Sequence, residues 1–78
     1  MYYTYVLKSK KDLKLYIGYC SDLKKRFMEH SKGLVPSTKD RQPMELIYYE
    51  ACLDKNKAIE REKSLKTGLG RSYLKNRI

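Results

Sequence analysis

The order of apolar and polar residues predicts a β-hairpin at the start of this 78-residue chain. Tyr2–Leu7 alternates with a period of two, which predicts a strand with Tyr3, Tyr5 and Leu7 on one face. A polar segment follows, and Leu15–Tyr19 is again rich in strand-forming residues. We therefore expect two antiparallel strands joined by a loop of several residues.

A charged helix is predicted directly after the hairpin. Ser21 is a suitable N-cap residue, and Asp22 suits the first helical turn, where the helix dipole favours negative charge. The helix is expected to end near Gly33. A loop should then run to Pro43, because this segment contains glycine, two prolines and polar residues.

The second half of the chain predicts one strand and two helices. Met44–Ala51 predicts the third strand, and Asp54 can cap a helix over residues 55–66. Gly68 is expected to end that helix, and residues 71–78 predict a short basic helix. The predicted order is β-β-α-β-α-α, within a single domain spanning residues 1–78.

The net charge changes the functional expectation. The chain has 18 Lys and Arg against 9 Asp and Glu, a formal charge of +9. Such an excess attracts polyanions, so we expect nucleic acid as the partner, DNA first and RNA as the alternative. We expect no membrane partner, because no apolar run reaches the length of a membrane span and no signal-peptide pattern is present. A cytoplasmic protein is therefore expected.

Glu62 lies where the helical pattern predicts an apolar residue. It follows Ala58 by four positions and precedes Leu65 by three, within the inward-facing stripe of the helix over residues 55–66. One interpretation is a carboxylate at the edge of the stripe that reaches solvent or pairs with Arg26 or a lysine. The other is a ligand for a hard divalent cation, which prefers oxygen donors.

The first helix carries a second group of candidate residues. Helical spacing places Asp22, Arg26 and His30 along one face. Arg26 could simply pair with Asp22, and His30 could be a surface residue favoured by the helix C-terminus. Both Tyr5 and Tyr16 could likewise be half-buried residues of the sheet.

Four sequence blocks together resemble the GIY-YIG nuclease superfamily, and especially its small bacterial members. Two segments resemble the family's paired signature. The first is "YTY" at Tyr3–Tyr5, with Tyr3 in the place of the first glycine, and the second is "YIG" at Tyr16–Gly18. The segment "SDLKKRFMEH" is similar to the helix with the family's arginine. The segment "AIEREKSLK" is similar to the stretch with its metal-binding glutamate. The resemblance implies an α+β fold, a three-stranded antiparallel sheet flanked by helices.

The resemblance also implies roles for five residues. Tyr5 and Tyr16 become the signature tyrosines, with Tyr5 the first candidate to activate water and Tyr16 the second. Arg26 becomes the catalytic arginine, and His30 occupies the auxiliary histidine or tyrosine position. Glu62 becomes the ligand of a single Mg²⁺ or Mn²⁺. We expect nearby cations to lower the pKa of the water-activating tyrosine, and the missing side chain of Gly18 to leave room for a close approach.

The implied function is metal-dependent DNA cleavage or nicking, in repair or recombination in the bacterial cytoplasm. Selectivity would come from DNA shape, a second copy of the chain or a partner protein. The alternative is a non-catalytic nucleic-acid-binding module with the same fold. In either case the basic residues outside the site are expected to contact phosphates. The candidates are Lys8, Lys10, Lys11, Lys14, Arg71, Lys75 and Arg77.

Overall fold

The computed structural model describes residues 1–78 and contains three strands and four helices. In chain order these are β1 (Tyr2–Ser9), β2 (Leu15–Cys20), α1 (Leu23–Ser31), α2 (Pro36–Lys39), β3 (Met44–Cys52), α3 (Lys55–Leu65) and α4 (Gly68–Lys75). The strands form one antiparallel sheet in the order β2-β1-β3. This confirms the predicted α+β fold and its main element order. No helix has the length and apolar character that crossing a membrane requires.

The strand register divides the sheet residues between two faces, as the alternation in β1 predicts. Tyr5 of β1 lies opposite Gly18 of β2, and Val6 lies opposite Ile17. The face with Val6 packs against α3 and α4 in a core of Val6, Ile17, Leu65 and Leu74. The face with Tyr5 packs against α1 in a cluster that includes Leu7, Met44, Leu23 and Phe27. Helices α1 and α3 therefore lie on opposite faces of the sheet.

The start of α1 and the loop after it differ from the sequence-based expectation. Asp22, not Ser21, is the N-cap of α1, and its carboxylate accepts a hydrogen bond from the Lys25 backbone N–H at 3.0 Å. The predicted loop contains the one-turn helix α2. It begins at Pro36, whose fixed backbone angle suits the first helical position.

Gly68 was expected to end α3, and that expectation is wrong. Asp54 caps α3 as predicted, but the helix ends at Leu65, and Gly68 is already the first residue of α4. Close packing of α4 on α3 depends instead on Gly70, where a Cβ atom would lie 2.2 Å from the Ser64 carbonyl oxygen. Leu65 lies at this contact and is fully buried. Its burial contributes about 2 kcal/mol to the free energy of unfolding.

Candidate active site

A chain of hydrogen bonds centred on Tyr5 links β1 to α1 and α2. The Nε–H of Arg26 donates to the Tyr5 hydroxyl at 3.3 Å. The same hydroxyl lies 2.9 Å from Nε2 of His30. On the other side of the imidazole, Nδ1 lies 2.7 Å from Oγ1 of Thr38. The predicted residues Tyr5, Arg26 and His30 therefore form one connected group.

The protonation of this group follows from the burial of His30. Burial, together with the charge of Arg26, lowers the pKa of His30 to about 4, so the imidazole is neutral near pH 7. Because Arg26 can only donate, the Tyr5 hydroxyl is free to donate its own proton to His30 Nε2. We accordingly assign the N–H of His30 to Nδ1, from which it donates to Thr38. The surface alternative for His30 is wrong, since its side chain is fully buried.

Gly18 provides the space that the Tyr5 hydroxyl occupies. It lies directly opposite Tyr5 in the sheet, and a Cβ atom there would be only 2.6 Å from the Tyr5 hydroxyl oxygen. The close approach predicted at Gly18 is therefore made by a tyrosine side chain from the neighbouring strand. This contact gives a steric reason for a glycine after Tyr16 and Ile17.

Burial changes the role that can be expected of Tyr5. Its side chain is only 1% exposed, and burial raises its pKa to about 12 despite the hydrogen bond from Arg26. Arg26 does lower the pKa of Tyr5, as expected of a nearby cation, but loss of solvent raises it by more, so the net shift is upward. Tyr5 is fully buried in the core of the sheet, where the alternative expected a half-buried residue.

Tyr16 is the more accessible of the two signature tyrosines. It is half-buried on β2, with its ring centroid 5.1 Å from that of His30 and 6.4 Å from that of Tyr5. It also lines a cavity of about 690 Å³ at the free edge of the sheet. Tyr16 thus joins the Tyr5 group at its solvent-accessible side.

Arg26 faces both the buried group and solvent. Its side chain is 35% exposed and pairs with Glu29 at 3.2 Å. Pairing with Asp22, the simpler alternative, is not observed, since the Asp22 carboxylate caps α1. Arg26 also lines a cavity of about 600 Å³ beside Lys25 and Lys55. Its remaining N–H groups can therefore serve an anionic ligand.

Glu62 lies apart from this group, on α3 at the opposite face of the sheet. Its side chain is 18% exposed and forms a loose ion pair with Lys66, at 3.9 Å. Ala58 and Leu65 on either side are fully buried, as the apolar stripe predicts. No hydrogen bond or ion pair joins Glu62 to Tyr5 or Arg26.

The residues around Glu62 limit the kind of metal site that it can form. No group of three or more His, Cys, Asp or Glu side chains is arranged to hold a metal. Mg²⁺ is nevertheless often bound by one or two carboxylates, with water and substrate phosphates completing its coordination. A single carboxylate at Glu62 fits a cation that shares its coordination with a substrate.

The seven basic residues predicted to contact phosphates lie on several surfaces of the protein. Lys8 is half-buried, while the other six basic candidates are exposed. Lys14 and Arg71 line the same 690 Å³ cavity as Tyr16, together with Lys66. Lys66 was not among the residues predicted from the sequence, although its position four residues after Glu62, at the C-cap of α3, could have indicated it.

The comparison with known families agrees with this geometry. A family model described as the GIY-YIG catalytic domain matches residues 1–76. The chain belongs to the GIY-YIG domain family. This family is part of the GIY-YIG nuclease superfamily, whose domains act on DNA. GIY-YIG nucleases also generally use a divalent metal.

Several bacterial proteins are similar to this GIY-YIG chain over most of its length. A UPF0213 protein of Staphylococcus saprophyticus is 40% identical over 85% of this chain and 80% of its own length. UPF0213 proteins of Bacillus pumilus and Clostridium perfringens are 43% and 39% identical over the same share of this chain, covering 67% and 71% of their own lengths. No solved structure is significantly similar to the chain.

The neutral, buried state of His30 predicts a pH dependence of stability. Its folded pKa of about 4 lies below the ordinary value of 6.5, so the unfolded chain binds more protons between these values. Stability should therefore fall as the pH drops from 6.5 to 4, by up to about 3 kcal/mol.

Urea unfolding of the wild type and His30→Gln at both ends of this pH range measures the effect. Carboxylates such as Asp12 and Glu50 titrate in both proteins, so the difference between them reports His30. The wild type should lose more stability than the variant. Equal losses would contradict the neutral assignment.

Proposed function

We propose that this protein is a metal-dependent endonuclease or nickase that hydrolyses phosphodiester bonds in DNA. The main support is the hydrogen-bonded group of Arg26, Tyr5 and His30, packed against Gly18 within a GIY-YIG domain. An always-charged guanidinium, held in place from the protein side, is suited to an anionic phosphoryl group. The charge of +9 supports the choice of a polyanionic substrate.

In this proposal Arg26 contacts the scissile phosphate directly. Its Nε donates to Tyr5 and one terminal nitrogen pairs with Glu29, which leaves further N–H groups for a phosphoryl oxygen. The positive charge then stabilises the negative charge that develops in the transition state. Tyr5 and His30 act as positioning residues, because both are buried, Tyr5 accepts a hydrogen bond from Arg26, and His30 holds the Tyr5 hydroxyl in place.

Water activation is better assigned to Tyr16 than to Tyr5. Tyr5 is buried, its proton is held by His30, and its pKa is about 12, so it is poorly suited to remove a proton from water. Tyr16 is half-buried and lines an open cavity, where its hydroxyl can reach a water molecule beside a bound phosphate. It is therefore our candidate general base.

Glu62 would hold a single Mg²⁺ or Mn²⁺ near the edge of the sheet, where its ion-pair partner Lys66 lines the same cavity as Tyr16. When bound, the cation would supply Lewis-acid stabilisation of the leaving oxygen. The low exposure of Glu62 favours this role, because a carboxylate among buried residues is costly without a strong partner. Its ion pair with Lys66 is too long to be a strong hydrogen bond.

The test is nicking of supercoiled plasmid and cleavage of a branched DNA with Mg²⁺ or Mn²⁺. Glu62→Ala, purified identically, reveals any contaminating nuclease, and a chelator removes the metal. We expect cleavage by the wild type only, abolished by the chelator. Binding of DNA with steep salt dependence, but no cleavage with either metal, would instead support the non-catalytic binding module.

We also propose a biological setting for this activity. The similar proteins are bacterial, which supports action in the bacterial cytoplasm, on damaged or branched DNA in repair or recombination. Selectivity would then come from DNA shape, a second copy of the chain or a partner protein.

A further inference from the structure

The cavity beside Tyr16 combines a free strand edge with a local excess of positive charge. Strand β2 pairs only with β1, so its outer edge is open. Three cationic side chains line the cavity there, those of Lys14, Lys66 and Arg71. Neither Lys14 nor Arg71 forms an ion pair, and Lys66 has only the distant partner Glu62. Three neighbouring cations without close anionic partners favour binding of an anion.

Lys66 is held loosely enough to change partners. Its ammonium lies 3.9 Å from the Glu62 carboxylate, beyond hydrogen-bonding distance, and its side chain is 55% exposed. An exposed ion pair of this kind contributes little to stability. A divalent cation on Glu62 would displace the ammonium, since both bind the same carboxylate and repel each other.

A second cavity lies farther along the same strand. It contains Arg26 and reaches β2 at Tyr19 and Cys20, whereas the cavity with Lys66 reaches β2 at residues 15–17. At the usual rise of a strand, Tyr16 and Cys20 are about 13 Å apart. Successive phosphates of one nucleic-acid strand are spaced more closely than this. One nucleic-acid backbone can therefore contact both cavities.

We propose that the cavity formed by Lys14, Lys66 and Arg71 binds a backbone phosphate next to the phosphate that is hydrolysed, and that Lys66 turns from Glu62 to this phosphate when a divalent cation binds. The inference rests on the proposed function, which puts the scissile phosphate between Tyr16 and Arg26. Lys66 then has two opposite effects. It competes with the metal at Glu62, and it strengthens binding of the nucleic acid.

Lys66→Gln separates these effects, with Lys63→Gln as the control. Lys63 is exposed, has the same charge and lies on the same helix, one position after Glu62 and thus on another face. Mn²⁺ binding without DNA is followed by the electron paramagnetic resonance of free Mn²⁺. DNA binding is followed by fluorescence anisotropy with a labelled phosphorothioate duplex, which resists hydrolysis, in the presence of Mn²⁺ and over a series of salt concentrations, so that Glu62 holds the cation and cleavage does not interfere.

For Lys66→Gln we expect Mn²⁺ affinity to rise about two- to five-fold, the size of an exposed ion pair. We expect its DNA affinity to fall, with the salt dependence reduced by about one phosphate contact. Arg71→Gln should weaken DNA binding to a similar extent without strengthening Mn²⁺ binding. The two readouts thus move in opposite directions in Lys66→Gln alone.

The inference is overturned if Lys66→Gln behaves like Lys63→Gln in both measurements, or if both affinities change in the same direction. It is also overturned if the wild type binds no DNA. Failure of the proposed function looks different. In that case the opposite shifts would be present in Lys66→Gln, but the wild type would cleave no substrate with either metal.

Discussion

Replacement of Arg26 by lysine is expected to reduce metal-dependent DNA cleavage by about 10²- to 10³-fold, the usual cost of losing one donor to a developing oxyanion. Arg26 holds Tyr5 through Nε and Glu29 through a terminal nitrogen while further N–H groups face a cavity. Lysine has a single ammonium group and cannot keep these contacts while also binding a phosphoryl oxygen. The loss should therefore be large although the charge is kept.

Initial rates of plasmid nicking measure this effect, and urea unfolding of the same preparations checks the fold. Lys24→Ala is the matched control, since Lys24 is an exposed cation on the same helix and does not contact the Tyr5 group. Its loss should change DNA affinity only slightly. If Arg26→Lys cleaves as fast as the wild type, Arg26 does not act on the phosphate, and its contacts to Tyr5 and Glu29 are purely structural.

The strands could be predicted from the sequence because period-two alternation is a local signal. The face assignment of Tyr3, Tyr5 and Leu7 follows directly from it, and the register agrees. The N-cap at Asp54 was predictable for a similar local reason. The short helix α2 was not, because one turn within a polar, proline-containing segment gives no periodic signal.

The environment of the site residues depends on contacts between distant parts of the chain. Helical spacing places Arg26 and His30 on one face, but it cannot distinguish the half-exposed arginine from the fully buried histidine. The burial of His30 depends on a distant part of the chain, because Thr38 of α2 contacts His30 Nδ1. The raised pKa of Tyr5 has the same origin, since burial by packed neighbours outweighs the adjacent guanidinium.

Gly18→Ala is expected to destabilise the protein by about 2–4 kcal/mol and to impair cleavage. The new Cβ atom would lie 2.6, 2.7 and 3.1 Å from the hydroxyl oxygen, Cζ and Cε1 of Tyr5. Tyr5 must move, which strains its hydrogen bonds to Arg26 and His30. Gly18 does not have a positive φ, so the cost comes from lost space and not from backbone conformation.

A double-mutant cycle with Tyr5→Leu tests this cause. Leucine lacks the ring atoms that the new Cβ would meet, so Gly18→Ala should cost little in that background. Gly68→Ala is the control, since no atom lies within 4 Å of a Cβ at that position, and it should leave urea unfolding nearly unchanged. If Gly18→Ala costs as much in the Tyr5→Leu background as in the wild type, the clash with Tyr5 is not the cause. An interaction energy close to the whole cost of the single substitution would mean that the signature glycine is required by the signature tyrosine of the neighbouring strand.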